Sequence, residues 1–244
     1  MKILKMCYNS LGDFMRLDKF LANLKYGSRN EIKKYTKMGL IEVNGYVVKK
    51  ADIDINPNSD IVLFDGVEVF YKEKITLIMN KPAGYICSTV DEVYPSLLKL
   101  LDEKYMRFEF NFAGRLDADT EGLVILSTDG ELIHKITSPN KEMYKTYYVK
   151  TKEKIVNENR LELPITLLDG KDKEYVTKGA KIAKISDYEL YISITEGKFH
   201  QVKRMLNYIN NEVVYLKRIK IGNLCLPNEL KLGEFMEIDP NTIF

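Results

Sequence analysis

The sequence predicts an α+β fold in two domains, the larger of which is built on a mostly antiparallel mixed sheet. Two short helical segments and two hairpin signals fill residues 15–71. From residue 77 onward, strand segments outnumber helical ones, without the regular strand–helix–strand alternation of a parallel α/β fold. The chain of 244 residues is 45% hydrophobic, so it can bury a sizeable core. We therefore expect a small domain at 15–71, a linker at 72–76 and a larger domain at 77–244.

Local signals define the elements of the small domain. The segment LDKFLANL carries apolar residues at helical spacing, and Tyr26-Gly27 breaks the pattern. Ser28 and Glu31 form a capping box that starts a second helix, NEIKKYTKMG. Two hairpins follow, and they turn at Asn44-Gly45 and at Asp65-Gly66. The prediction is a compact unit of two helices and small hairpins.

Positive charge is concentrated in this unit. The whole chain has a net charge of only +2, but residues 16–50 contain nine basic and three acidic side chains, a net charge of +6. Such a run is commonly a solvated helix face, and the alternative is a surface that binds phosphates. The cations lie on the two predicted helices, which favours the phosphate-binding alternative.

The pattern of the small domain begins at Met15. Codons for Gly12-Asp13 can spell GGAGAY, a purine-rich ribosome-binding sequence shortly upstream of that methionine. We therefore hypothesise that translation starts at Met15 and that residues 1–14 are an extension that is not translated. N-terminal sequencing of the native protein tests this, and finding Met1 or Lys2 would contradict it.

Strands dominate the larger domain. TLIMNKPAGYICST predicts a strand, a loop at Pro82 and Gly84, and a second strand. LVILSTDGELIHKIT predicts a strand, a turn at Asp129-Gly130 and a helix. Further strands are predicted in KTYYVKT, AKIAKI, ELYISIT and NEVVYLKRIKIG, and HQVKRMLNYI predicts a helix with Val202, Met205, Leu206 and Ile209 on one face.

Composition and motifs exclude several classes of protein. No apolar run approaches the roughly 20 residues that cross a bilayer, and the N-terminus lacks the features of a signal peptide, so we expect a cytoplasmic protein. Cys7, Cys87 and Cys225 are widely separated, which disfavours a disulfide framework or a zinc site. The histidines, His134 and His200, lie on separate segments, so a metal site has little support. No glycine-rich nucleotide-binding motif is present, and we expect no cofactor.

Charged side chains stand directly before a buried strand in FAGRLDADTEGLVIL, residues 112–126. Charges in this place are costly unless they are paired or used in chemistry. Arg115 could form a structural ion pair with Asp117 or Asp119, with Thr120 capping the turn. Alternatively, the carboxylates are functional, and the local pattern alone leaves both interpretations open.

Longer motifs carry a family resemblance. RLDKFLA, SRNE and GLIEVNG together resemble an S4 RNA-binding domain. Behind it, NKPAGYICST (residues 80–89), GRLDADTEGL (114–123), KTYYV (145–149) and ITEGKFHQVKRM (194–205) follow in the order seen in the RsuA family of pseudouridine synthases, which the chain resembles from Met15 onward. The resemblance implies an enzyme that isomerises uridine in ribosomal RNA, without a metal or an organic cofactor.

The resemblance also implies roles for three catalytic residues. The aspartate of the GRLD motif is Asp117, and a carboxylate can attack the substrate covalently or stabilise positive charge at C1′. The tyrosine of the KxY motif is Tyr147, which would stack on the uracil, whereas Tyr148 would face the other way into ordinary packing. The basic residue that pairs with the carboxylate is Lys203, with Arg204 as the alternative one position later.

Further residues are expected to bind RNA. Arg115 matches the arginine that, in related synthases, enters the RNA stack after the target base is flipped out. Asp119 and Thr120 would then hold the loop by local hydrogen bonds, His200 would pack or contact RNA, and His134 would be structural. The other predicted RNA contacts are Arg16, Lys19, Arg29, Lys33, Lys34 and Arg204.

The segment from Met79 to Glu103 looks most like the small-subunit enzymes of the family. We therefore expect one uridine of 16S rRNA as the substrate and a monomeric enzyme. The alternatives are a 23S rRNA synthase of the same family and a non-catalytic S4-type ribosome-assembly factor. The presence of Asp117, Tyr147 and Lys203 argues against the non-catalytic alternative, because a pure RNA-binding factor needs none of them.

Overall fold

The computed structural model describes residues 14–138 and 142–244, which divide into two compact units. The first comprises the described residues up to Glu73 together with Glu103–Phe108, and the second comprises Lys74–Asp102 and Glu109–Phe244. Residues 1–13 lie outside the described ranges, and with them nearly all of the proposed untranslated extension. Among the described residues, no helix has both the length and the apolarity that crossing a membrane requires.

The first unit has the two helices and two hairpins that its sequence predicts. The capping box of Ser28 and Glu31 begins the second helix, and Gly39 ends it in the left-handed conformation with φ of 83°. Both hairpin turns have two central residues with positive φ, as the Asn-Gly and Asp-Gly signals require. The elements are β1 (Met15–Arg16), α1 (Leu17–Asn23), α2 (Arg29–Met38), β2 (Ile41–Val43), β3 (Tyr46–Val47), β4 (Asp54–Ile55), β5 (Val62–Phe64) and β6 (Val67–Glu68).

An antiparallel sheet of order β3-β2-β5-β6 and the pair β1–β4 complete this unit. Its core contains the apolar face of α1, with Leu17 and Leu21 fully buried, together with Ile32 of α2. Because the apolar faces are turned inward, the cations between them point outward. Lys19, Arg29, Lys33, Lys34 and Lys37 are all exposed.

The segment Glu103–Phe108 packs in the first unit although it falls within the range 77–244 predicted for the second domain. Phe70 contacts the rings of Tyr105 and Phe108 at centroid distances of 5.6 and 5.8 Å. The guanidinium of Arg107 lies 4.1 Å from the centroid of the Tyr26 ring. No local sequence pattern indicates this placement of residues 103–108, because its aromatic contacts join residues more than 30 positions apart.

The second unit is built on a large sheet of order β13-β14-β10-β15-β9-β7-β17. Every pair in it is antiparallel except β9–β15, so the predicted α+β fold with a mostly antiparallel mixed sheet is confirmed. Its elements are β7 (Thr76–Lys81), β8 (Asn111–Phe112), β9 (Glu121–Ser127), α3 (Gly130–Thr137), β10 (Lys145–Thr151), β11 (Thr166–Leu168), β12 (Glu174–Val176), β13 (Lys181–Lys184), β14 (Glu189–Ile194), α4 (Gln201–Tyr208), β15 (Val213–Ile221), β16 (Leu224–Cys225) and β17 (Phe235–Glu237).

One predicted strand does not form. The second half of TLIMNKPAGYICST has only an isolated bridge between Ile86 and Ser96. Pro95 accepts a hydrogen bond from the Ile86 amide at 3.0 Å, but its own nitrogen has no proton to donate, so the ladder cannot extend. The segment is therefore a loop that leads toward the site described below.

Gly122 lets two central strands approach closely at the end of the GRLD loop. It pairs with Arg218 in the parallel bridge, has φ of 105°, and a Cβ built on it would lie 2.2 Å from the Arg218 carbonyl oxygen. Any side chain here would force the strands apart. Gly122 thus allows β15 to pack against β9 directly after the loop that carries Asp117.

Candidate active site

The GRLD loop joins β8 to β9, and a buried lysine binds its backbone. Lys81, at the end of β7, is fully buried and points its ammonium at four carbonyl oxygens. These belong to Pro82 at 3.0 Å, Asp117 at 3.0 Å, Ala118 at 3.3 Å and Thr120 at 2.7 Å. Burial lowers the pKa of Lys81, and the nearby thiol and carboxylates oppose that change. The loop is therefore fixed through its backbone, which leaves the Asp117 side chain available.

Asp117 lies between two basic side chains of the third motif. Its side chain is 28% exposed, and its Oδ2 is 3.5 Å from His200 Nε2 and 3.6 Å from Lys203 Nζ. His200 is held just before α4 in the left-handed conformation, with φ of 52°, and its ring stacks on Phe199 at 3.7 Å. From the sequence, His200 is expected to pack or to contact RNA. The structure also brings it close to the carboxylate, which spacing alone did not indicate.

Lys203 is closer to Asp119 than to Asp117. Its Nζ donates to both Asp119 oxygens, at 2.6 and 2.7 Å. Burial opposes ionisation of Asp119, but the hydrogen bonds and charge of Lys203 outweigh it and lower the pKa of that carboxyl. Asp119 was expected to make only local hydrogen bonds, of which the one from Thr120 is present at 3.3 Å. The cation therefore bridges two carboxylates, and Asp119 carries its shorter contacts.

The two adjacent tyrosines of β10 face opposite sides of the sheet. Tyr147 is 7% exposed and lines the cavity beside Asp117, whereas Tyr148 lines a different cavity on the other face. The active-site cavity has a volume of about 600 Å³, which suits a nucleotide-sized ligand. A smaller cavity of about 60 Å³ shares Asp117 and Tyr147 with it and is also lined by Lys203. Arg115 lines both cavities.

Two buried cations of the larger cavity were not identified from the sequence. Arg218 of β15 is 1% exposed and donates to the carbonyl oxygens of Leu123 and Gly114, both at 2.8 Å. Lys145 of β10 is 7% exposed, and burial followed by the charge of Arg218 lowers its pKa. A signal for Arg218 existed, because strand alternation places it on the same face as buried Leu216.

The structure separates Arg204 from Asp117. Its guanidinium donates to the carbonyl oxygens of Leu168 and Asp169, the latter at 2.9 Å, at the end of β11. Of the two candidates for the partner of Asp117, Lys203 is the one within ion-pair distance. Through these bonds Arg204 holds the β11 end against α4, and its contact with RNA stays a prediction.

The cations predicted to bind RNA in the first unit are not equivalent. Arg16 is engaged by Asp18, with Nε to Oδ1 at 3.1 Å and Nη2 to Oδ2 at 2.8 Å. The hydrogen bond from Arg16 is the main cause of the lowered pKa of Asp18, whose side chain is almost fully buried. The exposed side chains of Lys19, Arg29, Lys33 and Lys34 lie on α1 and α2.

Comparison with known proteins agrees with these features. Residues 75–208 match the model of the RNA pseudouridylate synthase family, and residues 15–61 match the S4 domain. An RNA pseudouridine synthase of Bacillus subtilis is 42% identical over 92% of this chain and 95% of its own length. Ribosomal small subunit pseudouridine synthase A of Haemophilus influenzae and that of Escherichia coli K12 are each 35% identical over 94% of this chain and 98% of their own lengths.

A solved structure described as a pseudouridylate synthase superposes with a TM-score of 0.65 at 34% identity, covering 94% of this chain and 98% of that one. The family match covers more than half of the chain, and these relatives align over nearly all of it. The two matched regions lie in the order in which the S4 and synthase motifs follow each other in the sequence. The chain therefore belongs to the RNA pseudouridylate synthase family and is a pseudouridine synthase with an N-terminal S4 domain.

Proposed function

We propose that this enzyme converts one uridine of 16S rRNA into pseudouridine, with Asp117 as the catalytic carboxylate. The observation that carries the proposal is the convergence of Asp117, Tyr147 and Lys203 on one pair of adjoining cavities. The small-subunit names of two full-length relatives support 16S rRNA over 23S rRNA as the substrate. On this proposal, the enzyme acts in the cytoplasm, where ribosomal RNA is found, and it does so as a monomer.

The reaction breaks the N1–C1′ bond of uridine, turns the freed uracil and joins its C5 to C1′. Asp117 would attack the substrate or stabilise positive charge that develops at C1′. The ring of Tyr147 would support the uracil face during the turn, and its phenol can move a proton. Lys203, 3.6 Å from Asp117, would hold that carboxylate in place while its shorter contacts fix it to Asp119.

Substrate binding requires the target base to leave the RNA stack, because C1′ and C5 are hidden inside it. Arg115 lines the cavity beside Asp117 and would fill the space that the base leaves. The exposed cations of the first unit, Lys19, Arg29, Lys33 and Lys34, would contact phosphates. Arg16 would contribute less than these, since Asp18 already occupies two of its donors.

Release of tritium from rRNA labelled at uracil C5 tests the proposal, because C5 loses its hydrogen only when it becomes the glycosidic carbon. Wild type and Asp117→Asn are compared on 16S and 23S rRNA, each free and partly assembled with ribosomal proteins. Asp187→Asn is the matched control, since Asp187 is an exposed partner of Lys154 and lines neither of the two cavities.

We expect release from 16S rRNA by wild type and by Asp187→Asn, and none by Asp117→Asn. Release from 23S rRNA alone would identify large-subunit rRNA as the substrate instead. Tight binding of both RNAs without release would favour a non-catalytic assembly factor. The state of association is measured by light scattering on the purified chain.

A further inference from the structure

The face of the catalytic sheet opposite Asp117 contains a second cavity, with a volume of about 560 Å³. The cavity belongs entirely to the second unit, and the reaction proposed above uses none of its residues. It is lined by strand residues of β7, β10, β14 and β15 and by the segment after β15. Its principal side chains are Asn80, Tyr148, Tyr191, Tyr215, Lys217 and Lys220. We call it the back-face cavity.

Three tyrosines from neighbouring strands form an aromatic wall of this cavity. The Tyr148 ring lies 5.9 Å from the Tyr191 ring and 6.0 Å from the Tyr215 ring. The hydroxyl of Tyr148 donates to Glu189 at 2.6 Å, and that of Tyr215 donates to Glu121 at 2.6 Å. These bonds hold two of the rings in place. Tyr191 is 39% exposed, so its ring is accessible to a ligand.

Asn80 contributes an unused hydrogen-bond acceptor. The residue is 3% exposed, and its amide nitrogen donates to the Leu230 carbonyl oxygen at 2.7 Å, which fixes the orientation of the group. Its Oδ1 is buried without a hydrogen-bond partner. A buried acceptor without a partner has a cost in folding free energy. A ligand that donates a hydrogen bond in the cavity would remove that cost.

The back-face cavity contains two lysines, Lys217 and Lys220, and is bordered by the carboxylate of Glu121, which accepts a hydrogen bond from Tyr215. Among the described residues, no carboxylate lies within ion-pair distance of Lys217 or Lys220. Glu189, by contrast, accepts from Tyr148 and also contacts Lys150 at 3.2 Å, so its charge is already compensated. The cavity therefore offers aromatic faces, one acceptor and two cations.

We propose that the back-face cavity binds a nucleotide in a single-stranded segment of the RNA substrate. The base would stack on the tyrosine rings and donate a hydrogen bond to Asn80 Oδ1, and its phosphate would pair with Lys217 and Lys220. Stacking surfaces combined with cations are the means by which proteins bind single-stranded RNA. The inference rests on the proposed function only in that it takes RNA as the substrate.

A strand accounts for the surface better than a free mononucleotide does. Tyr191, Tyr148 and Lys217 lie side by side on β14, β10 and β15, in register with one another. Neighbouring strands are about 4.8 Å apart, so these three form one surface nearly 10 Å across, along which a base and the phosphates on either side of it can lie. An acidic peptide would match the lysines but would leave the exposed tyrosine faces without a stacking partner.

Cys225 provides a direct probe, because it lines the cavity and its thiol is exposed. Cys87 is buried, and its burial raises the pKa of that thiol, so it reacts slowly. A photoreactive maleimide is attached to Cys225 in a Cys7→Ser background. The labelled chain is then irradiated with a radiolabelled 16S rRNA fragment, and the RNA crosslinked to the protein is measured.

Two sets of variants are made in the same background. Tyr191→Ala removes a stacking face, and Lys217→Gln with Lys220→Gln removes the cations. Tyr188→Ala and the pair Lys152→Gln with Lys154→Gln are the matched controls. These control residues are exposed on the same unit but do not line the cavity.

We expect crosslinking to fall about tenfold in each cavity variant and to remain unchanged in the controls. In tritium release from 16S rRNA, the cavity variants should raise KM and leave kcat unchanged, because the cavity lies away from the reacting atoms. The slope of log affinity against log salt should become shallower by about 1.4 when both lysines are removed.

Equal crosslinking in all variants, or no crosslinking by a chain that releases tritium, would overturn the inference. Unlabelled RNA and millimolar uridine 5′-monophosphate are also added as competitors. If the mononucleotide reduces crosslinking as much as unlabelled RNA does, the cavity binds free nucleotides instead. If the expected crosslinking pattern is found in a chain that releases no tritium from either rRNA, the cavity assignment stands and the proposed function fails.

Discussion

Replacing Lys81 with methionine tests whether the catalytic loop is held through its backbone. The ammonium has three protons and lies within 3.3 Å of four carbonyl oxygens of the loop and its neighbour Pro82. Hydrogen bonds from a charged donor contribute about 1.5–3 kcal/mol each, so three of them amount to roughly 5–9 kcal/mol. Burial of the ammonium costs several kcal/mol in the opposite direction. We therefore expect Lys81→Met to lower the free energy of unfolding by about 3 kcal/mol.

The same substitution should impair catalysis, because three of the carbonyls belong to the loop residues Asp117, Ala118 and Thr120. A displacement of a catalytic group by about 1 Å can reduce the rate about 100-fold. Hydrogen exchange provides a local readout, since the Gly84 amide donates to the Ala118 carbonyl at 2.8 Å. Its protection should decrease more than that of amides in α3.

Stability is measured by urea unfolding, followed by near-ultraviolet circular dichroism of the 16 tyrosines, as the chain has no tryptophan. Lys99→Met is the control, because Lys99 is 57% exposed and pairs with Asp91 on the surface. Such a pair contributes about 0–1 kcal/mol. If Lys81→Met unfolds at the same urea concentration as Lys99→Met and keeps the wild-type kcat, the lysine does not hold the loop.

Three further sets of substitutions test individual side chains. Tyr147→Phe keeps the stacking face but loses the phenol. If the hydroxyl moves a proton, tritium release should show kcat reduced about 100-fold or more, and RNA binding should be unchanged. Asp18→Asn should destabilise the protein by about 1–3 kcal/mol at pH 7. Arg16 lowers the folded-state pKa of Asp18, so this stability is present above the ordinary value of 3.8 and is lost as the pH falls through the lowered value. Urea unfolding of wild type and variant should therefore converge at a pH below that lowered value. Lys33→Gln with Lys34→Gln should reduce the salt dependence of RNA binding, measured by filter binding, by a slope of about 1.4.

The sequence predicted those features that depend on neighbouring residues. The capping box at Ser28, the hairpin turn at Asn44-Gly45 and the buried face of α4 all follow from residues within a few positions of each other. The contact of Lys203 with Asp119 joins residues 84 positions apart, and no local pattern indicates which of two nearby carboxylates a lysine will reach. The partners of Lys81 could not be predicted either, because every residue has a backbone carbonyl and the sequence does not show which ones a lysine will reach.

Two buried cations line the larger cavity of the candidate active site, and a third, Lys81, lies behind the GRLD loop. Lys81, Lys145 and Arg218 are each at least nine-tenths buried, and among the described residues no carboxylate lies within 4.0 Å of any of them. Backbone carbonyl oxygens satisfy their protons instead, so their desolvation is offset by dipoles and their positive charge is not cancelled. On the proposed function, this residual charge would attract the phosphates of an entering RNA. The polypeptide backbone around Asp117 is therefore part of the electrostatic design of the site, because ion pairs in its place would neutralise the field that an anionic substrate requires.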